Sequence, residues 1–311
     1  MRQTRVADGT RIAYRTLGPR DGPPLVLLDG LSCAGFVFRD LEPRLAERFR
    51  VLHLHYRGHG RSGLPRDPGA CTLPHLAADV AELLEHDALE PAVMVAHSMG
   101  VQVALEVALR SPGRVRALVL MCGAPGRVLD TFRHTDLGRR LLPWIDLGTR
   151  TWREPIARAL RAVLPSGLAY AVAVASEIKG DRVAQADLMP YLEHFARMPL
   201  DLFTAMLTDA AERTSEAWLG RVGAPALVIA AEDDGFTPVA RSRDLATALP
   251  HAELEVIARA SHLGPLERPD AFWAALSAFV DAHGLALPPA ARPTTAASLA
   301  ERWRHARSVA D

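Results

Sequence analysis

Lysine is almost missing from this chain: Lys179 is the only one among 311 residues, and the remaining cationic side chains are arginines. That preference for arginine reads as genome base composition; the basic residues are spread along the sequence and the formal net charge is zero, which leaves no electrostatic footprint for nucleic acid. Cysteine is scarce too. Cys33, Cys71 and Cys122 form no Cys-x-x-Cys spacing and leave one unpaired under any disulfide scheme, which excludes a disulfide scaffold and points to a reducing compartment. They are expected to be small buried apolar residues. No apolar run approaches the length of a membrane span, and Met1 to Gly9 lacks the apolar region of a secretory signal. A cytoplasmic location is therefore expected, with neither nucleic acid nor a membrane as partner. What is present is core material: 49% hydrophobic residues, over a length that suits one large or two modest domains.

The apolar runs are short and alternate with stretches of helical spacing. Val6 and Ile12 to Leu17 flank Asp8-Gly9, a hairpin signal. Leu25 to Leu28, Val51 to Leu54, Val93 to Ala96 and Val115 to Met121 read as buried strands, while Phe38 to Phe49 and Leu73 to Leu84 have helical periodicity. From about Ala124 to Ala217 only helical patterns remain, broken by Pro143, Pro155, Pro165, Pro190 and Pro199. The α/β rhythm then resumes with strands at Ala226 to Ala230 and Leu254 to Ile257 and helices at Val239 to Leu249 and Asp270 to Val280. Such alternation implies an α/β fold with a mostly parallel, doubly wound sheet covered on both faces, interrupted by an all-helical insertion. The expected division is a core of residues 1–123 and 218–285, an insertion of 124–217, and a linker with a short C-terminal helix at 286–311. In that tail, Ser298 to Glu301 matches a capping box and Leu299, Trp303 and Ala306 share a stripe. The stripe is expected to dock on some surface, and a homo-oligomer formed through this helix is one such case.

Ser98 is the residue around which the chain is organised. A β-rich run meets it with small residues on both sides, and helical spacing follows at once, so Ala96-His97-Ser98-Met99-Gly100 reads as strand, sharp turn, helix. The usual form of this nucleophile elbow is Gly-x-Ser-x-Gly, from which Ala96 is a mild departure. Open α/β sheets carry their chemistry at the carboxyl ends of the strands. Asp234 follows the strand ending at Ala230, and His262 follows the strand ending at Ile257. Serine is a poor nucleophile at neutral pH, so a histidine must take its proton and a carboxylate must hold that imidazole in the right tautomer. The chain order Ser98, Asp234, His262 satisfies this, with Asp233 or Glu232 as other candidates for the acid.

On these residues the chain resembles the α/β-hydrolase superfamily, over roughly residues 1 to 285, in its esterase, lactonase and haloperoxidase-like branch. Arg57-Gly58-His59-Gly60-Arg61-Ser62 is similar to the Arg-Gly-x-Gly-x-Ser loop after the fourth strand, and Ala231 to Asp234 to the acid loop. Ser261-His262, with Leu266-Glu267-Arg268-Pro269, is similar to the histidine loop. The resemblance favours Asp234 as the acid. It implies that the backbone N–H groups of Leu31 and Met99 form the oxyanion hole, with Asp29, Gly30, His55, Arg57 and His97 in support, and His59 ordering its glycine loop. It also implies that the helical insertion caps the nucleophile, so that some of Trp144, Trp152, Phe195, Phe203 and Met206 face the substrate, with Met198 a further candidate.

The expected activity is that of a serine hydrolase on a carboxylic ester, thioester or lactone with an apolar part, needing no metal and no organic cofactor; its partner is a small molecule with an acyl carbonyl. Dehalogenase and epoxide hydrolase chemistry on this fold uses an aspartate at the elbow, which Ser98 argues against. Acyl transfer, carbon–carbon bond hydrolysis and perhydrolysis use the same three residues. A non-catalytic small-molecule receptor is the reading of another class, kept open by the departures at Ala96 and Asp29. Relatives usually carry His before Gly in the oxyanion loop and Asp at the start of the Asp-x-Arg-Gly loop, where this chain has Asp29 and His55. An unpaired Asp29 carboxylate about 6 Å from a developing oxyanion would cost roughly 2 to 3 kcal/mol at an effective dielectric of about 20. Asp29 is therefore expected to be neutralised by His55, or failing that by Arg57; the alternative is that it accepts backbone N–H bonds in its own loop.

Overall fold

The computed structural model describes residues 1–132, 135–176 and 183–287, and in it the short apolar runs become the strands of one sheet. The strands are β1 (Arg2–Arg5), β2 (Arg11–Leu17), β3 (Pro24–Leu28), β4 (Arg50–Leu54), β5 (Ala92–His97), β6 (Val115–Met121), β7 (Ala226–Ala231) and β8 (Ala252–Ile257). Their order is β1-β2-β4-β3-β5-β6-β7-β8, with β1 and β2 antiparallel and β3 to β8 parallel. The register Leu27 opposite His53 and Leu28 opposite Ala96 brings the carboxyl ends of β4, β3 and β5 side by side. Residues that follow those three strands therefore meet in space.

Strand periodicity divides the interior into two cores. Val26, Leu28, Met94, Ala96, Leu118 and Val228 face one way, toward α2 (Leu73–His86) and α3 (Met99–Arg110). Leu25, Leu27, Val93, Val95, Val119 and Ile229 face the other, toward Phe38, Leu45, Phe272 and Phe279. Because both faces are covered, the central strands carry almost no polar residue, as buried parallel strands require. At the far edge, β8 alternates Glu253 and Glu255 with apolar residues, charges that discourage pairing with another sheet.

Helical periodicity over Phe38 to Phe49 yields a shorter helix than expected, α1 (Glu42–Ala46). Pro43 sits in its first turn and cannot donate to a preceding carbonyl, so the helix begins there and Phe38 to Leu41 turn instead. The apolar side chains still pack: Phe38, Leu41, Leu45 and Phe49 are all buried.

Between β6 and β7 lie α4 (Leu137–Thr151), α5 (Arg153–Val163), α6 (Gly167–Ser176), α7 (Gln185–Arg197) and α8 (Leu200–Glu212). Among the described residues of this segment no strand joins the sheet; the only β-type pairing is an isolated bridge, Gly126 to Thr214, at its stem. Ser215 N–H also donates to the Pro125 carbonyl at 2.7 Å, so the segment leaves and re-enters the core at one point. Gln102 of α3 donates from Nε2 to the Ala210 carbonyl at 2.9 Å and ties α8 to the helix behind Ser98. After β7 come α9 (Val239–Ala248), the short α10 (Gly264–Glu267) and α11 (Pro269–Ala282). The tail helix expected at Ser298 to Val309 lies outside the described residues.

Gly100, in the first turn of α3, leans against the end of β3. A Cβ there would lie 2.2 Å from the Leu28 carbonyl oxygen and 2.7 Å from that of Asp29, both backbone atoms that cannot swing away. Gly100→Ala is therefore expected to cost about 3 kcal/mol by overpacking, read as a fall in the urea midpoint at unchanged slope.

Candidate active site

Ser98 occupies the turn between β5 and α3 with φ 55° and ψ −122°, a conformation that L side chains rarely adopt. The turn is held from several sides. Ser98 N–H donates to the Met121 carbonyl at 3.1 Å, and the Ser98 carbonyl accepts Val101 N–H at 3.0 Å. Gly30 passes so close that its Cβ would sit 3.1 Å from Ser98 Cβ. The surrounding backbone thus supports a strained serine and presents its hydroxyl at the amino end of α3, where helix N–H groups have no intrahelical partner.

His262 and Asp234 converge on that hydroxyl. His262 Nε2 is 3.0 Å from Ser98 Oγ, and Nδ1 is 3.0 and 3.1 Å from the two Asp234 oxygens. Asp234 also accepts Phe236 N–H and Thr237 N–H at 2.8 Å and the Thr237 hydroxyl at 2.7 Å. Burial alone would raise its pKa, but the His262 ring and the Thr237 donors outweigh burial and hold it below the usual carboxylate value. An ionised Asp234 facing Nδ1 keeps the proton on that nitrogen and leaves Nε2 as the acceptor toward the serine hydroxyl. Of the other acid candidates, Glu232 is occupied elsewhere, accepting Arg259 N–H at 2.9 Å.

The backbone beneath His262 is anchored as well. His97 Nε2–H donates to the His262 carbonyl at 2.8 Å, and burial first, then the neighbouring His262, lowers the His97 pKa to about 4. His97 is thus a neutral spacer between elbow and histidine loop. Glu267 accepts Ser261 N–H at 2.7 Å and fixes the start of the same loop.

Asp29 is paired, but with a different residue from the one expected. His53 Nε2 lies 3.1 Å from Asp29 Oδ2, which also accepts Gly35 N–H at 2.7 Å. The other ring nitrogen of His53 is 3.0 Å from Glu42 Oε1, and Glu42 in turn pairs with Arg15. The expected partners are engaged elsewhere. His55 Nδ1 accepts Arg61 N–H at 3.0 Å, and Arg57 forks onto Asp79 and reaches Asp8 and the Ala70 carbonyl. The reason is geometric: His53 is still on β4, opposite Leu27, with its ring on the face that carries Asp29 and α1, whereas the chain has turned away by His55. The own-loop alternative holds in part, since Gly35 belongs to the loop that Asp29 opens.

The charges in this row alternate. Burial would lower the His53 pKa, but Glu42 and Asp29 raise it to about 9, while both carboxylates are held low despite burial. His55 goes the opposite way, to about 3, through burial and then repulsion from His53. His59 is neutral for similar reasons, and its Nε2 accepts Ser32 N–H at 3.1 Å. Residues 29–35 are therefore held by side-chain contacts at Asp29, Ser32 and Gly35.

A cavity of about 450 Å³ opens on Ser98 and His262. Leu31 and Met99 line it beside Ser98, and Phe195 and Phe203 line it from the helical insertion, together with Phe132, Tyr191 and Phe236. The other expected pocket residues are elsewhere. Trp144 and Trp152 are 70% and 62% exposed, and Met206 and Met198 are buried in the main core that also holds residues of α2 and α3. Tyr191, one helical turn before Phe195, was within reach of sequence reasoning because the two share a face of α7. Phe236 stacks on the His262 ring at 4.8 Å, a contact that depends on the acid loop's fold. Among the described residues, no group of three His, Cys, Asp or Glu side chains is arranged to hold a metal ion.

A family model described as alpha/beta hydrolase fold matches residues 23–269. The pimeloyl-(acyl-carrier protein) methyl ester esterase of Chromobacterium violaceum is 31% identical over 265 residues, covering 84% of this chain and 95% of its own. Among solved structures, a hydrolase from Pseudomonas aeruginosa PA01 aligns with a TM-score of 0.71 at 26% identity, over 90% of this chain and 97% of its own. Est816, an N-acyl homoserine lactone degrading enzyme, gives a TM-score of 0.71 at 26% identity, over 90% of this chain and all 100% of its own.

The buried row carries a pH signature. His53 is raised in the folded state from 6.5 to about 9, so the stability it contributes is complete below about pH 6.5 and is lost as pH rises through 9. His53→Gln leaves buried Asp29 without its cation and Glu42 with Arg15 alone, and is expected to destabilise the protein by about 3 kcal/mol at pH 6.5. Urea unfolding at pH 6.5 and at pH 9 should show the loss shrinking at the higher pH.

Proposed function

The chain belongs to the α/β-hydrolase family, and from that premise we propose that it is a serine hydrolase cleaving a carboxylic ester, thioester or lactone with an apolar moiety. One observation carries the reading: Ser98 Oγ, His262 Nε2 and the Asp234 carboxylate form a continuous hydrogen-bonded row that opens into an apolar cavity. The activities named for two relatives, a methyl ester esterase and a lactone-degrading enzyme, support attack at an acyl carbonyl.

In this reading Ser98 Oγ attacks the carbonyl carbon as His262 Nε2 takes its proton, and the carbonyl electrons move onto oxygen. The N–H groups of Leu31 and Met99 receive that oxyanion, while Asp234 stabilises the imidazolium. The imidazolium returns its proton to the leaving alkoxide or thiolate, giving an acyl-enzyme on Ser98. Water, deprotonated by the same nitrogen, then releases the acid. Asp29, Gly30, His55, Arg57 and His97 act as supports of the loops that carry these groups, and the insertion acts as a cap whose Tyr191, Phe195 and Phe203 receive the apolar part.

Ser98→Ala is expected to lower turnover of p-nitrophenyl esters by at least about 10⁴-fold, and Asp234→Asn by about 10⁴-fold. A fluorophosphonate probe should label the parent and not Ser98→Ala. Undiminished hydrolysis in the serine variant, or no labelling of the parent, overturns the proposal; absence of labelling is the result a receptor would give.

A further inference from the structure

The outer surface of the insertion does not look like the rest of the protein. Among the described residues, large hydrophobic side chains left exposed are concentrated on α4, α5 and α6, with few elsewhere. At 3.6 residues per turn, Leu137, Leu141, Trp144, Ile145 and Trp152 fall within an arc of about 100° on α4 and its C-cap. Leu142 and Thr149, which are buried, mark the inward face beside that arc. Arg139 and Arg150 lie on the opposite side and Arg140 between. The next helix adds exposed Arg158 and Arg161, which pair with no carboxylate among the described residues. Arg139, Arg140, Arg150 and Arg153 do reach acidic neighbours, but through exposed side chains, and such pairs yield readily to a competing anion.

We infer that α4 and α5 seat this protein on the surface of a bilayer containing anionic lipid, with the tryptophan and leucine arc in the acyl boundary and the arginines at the phosphates. An apolar face with tryptophan, beside a polar face rich in arginine, is the physical requirement for lying in that interface. No single helix among the described residues is long and apolar enough to cross a membrane, and α5 with the start of α6 reaches that length only as a pair bent by 92°, with Arg153, Arg158 and Arg161 on it, a shape that suits a surface attachment. The sequence expectation of no membrane partner rested on the lack of a spanning run and is revised here for surface contact.

Charge selects against the other occupants. Of the six arginines in residues 137–163, Arg139, Arg140, Arg150 and Arg153 already face Asp130, Asp136, Asp146 and Asp201, so the charge left over is that of Arg158 and Arg161, which suits an anionic surface better than a second copy carrying the same pair. The tail beyond Leu287 is also basic, with Arg292, Arg302, Arg304 and Arg307 against Glu301 and Asp311. The attachment has a use: α6 exposes Leu168 and Val172 while its Ala173 lines the cavity, so the lipid-facing surface and the cavity wall are adjacent along one helix.

The test is flotation of the full chain with vesicles of phosphatidylcholine alone or mixed with phosphatidylglycerol. Recovery should be at least about tenfold greater with the anionic vesicles and should fall with added salt. Leu141→Ser with Trp144→Ser should lower it about tenfold, with thermal unfolding as the control for folding, and Arg158→Gln with Arg161→Gln should weaken binding to the anionic vesicles alone. Equal or no recovery with both vesicle types overturns the inference, as does undiminished flotation of the Leu141 and Trp144 variant. A concentration-dependent dimer abolished by that variant would also overturn it, assigning the face to a second copy.

Discussion

The first turn of α3 is pressed against the end of β3, and the candidate site depends on that contact. The carbonyls of Leu28 and Asp29 leave no room for a side chain at residue 100. With the helix start held so close to the neighbouring strand, the chain must turn within one residue, and Ser98 takes the positive φ that this demands. The same closeness brings Gly30 under the serine and sets Leu31 beside Met99. A looser junction would relieve the serine and also separate Ser98 from Leu31 and Met99, the groups proposed to act on one carbonyl. The strain is offset by the sheet: β3, β5 and β6 are adjacent, parallel and buried on both faces, so the elbow has little freedom to relax.

A second constraint is electrostatic. The loop proposed to supply an oxyanion donor begins with a buried carboxylate, the wrong sign to place near developing negative charge. The chain meets this with a row in which Arg15, Glu42, His53 and Asp29 alternate in sign and cancel overall. Each charge faces the opposite charge of the next, so the row reaches from part-exposed Arg15 to the loop, with Asp29 Oδ1 the one carboxylate oxygen of the row that has no hydrogen-bond partner. Buried ion pairs are poor sources of net stability. What this row supplies is a fixed position for residues 29–35, since Asp29 holds Gly35 N–H while His53 holds Asp29.

Sequence reading recovered what local pattern and chain order encode. The strands are short apolar runs with turns between them, and Ser98, Asp234 and His262 each follow one, so topology alone brings them together. Contacts set by register were less accessible. Choosing His53 over His55 as the partner of Asp29 requires knowing that β4 ends at Leu54 and that the chain then turns toward Gly60, one strand boundary that no periodicity fixes to the residue. Glu42 escaped notice because a glutamate in a short helix carries no signal of burial. Trp144 and Trp152 illustrate the opposite error: large aromatics in a helical insertion suggest a pocket, yet which side of a helix faces inward is decided by its neighbours, and α4 turns Leu142 and Thr149 inward instead.

The stem of the insertion has a consequence for how such a chain diversifies. Gly126 bridges Thr214 and Ser215 bonds back to Pro125, so everything between them leaves and returns through a neck one residue pair wide. Closing a loop costs free energy only as the logarithm of its length, and doubling it adds about 0.6 kcal/mol. The sheet is therefore nearly blind to the size of what is mounted on that neck, and helices there can be lengthened, shortened or replaced without redrawing the strands. The exceptions lie in α7 and α8: Gln102 reaches from the helix behind Ser98 to the Ala210 carbonyl, Leu73 N–H donates to Asp209 at 2.7 Å, and Met198, Leu202 and Met206 pack into the main core. Shape can vary freely in the half that carries α4 to α6 and is constrained in the half that touches the elbow.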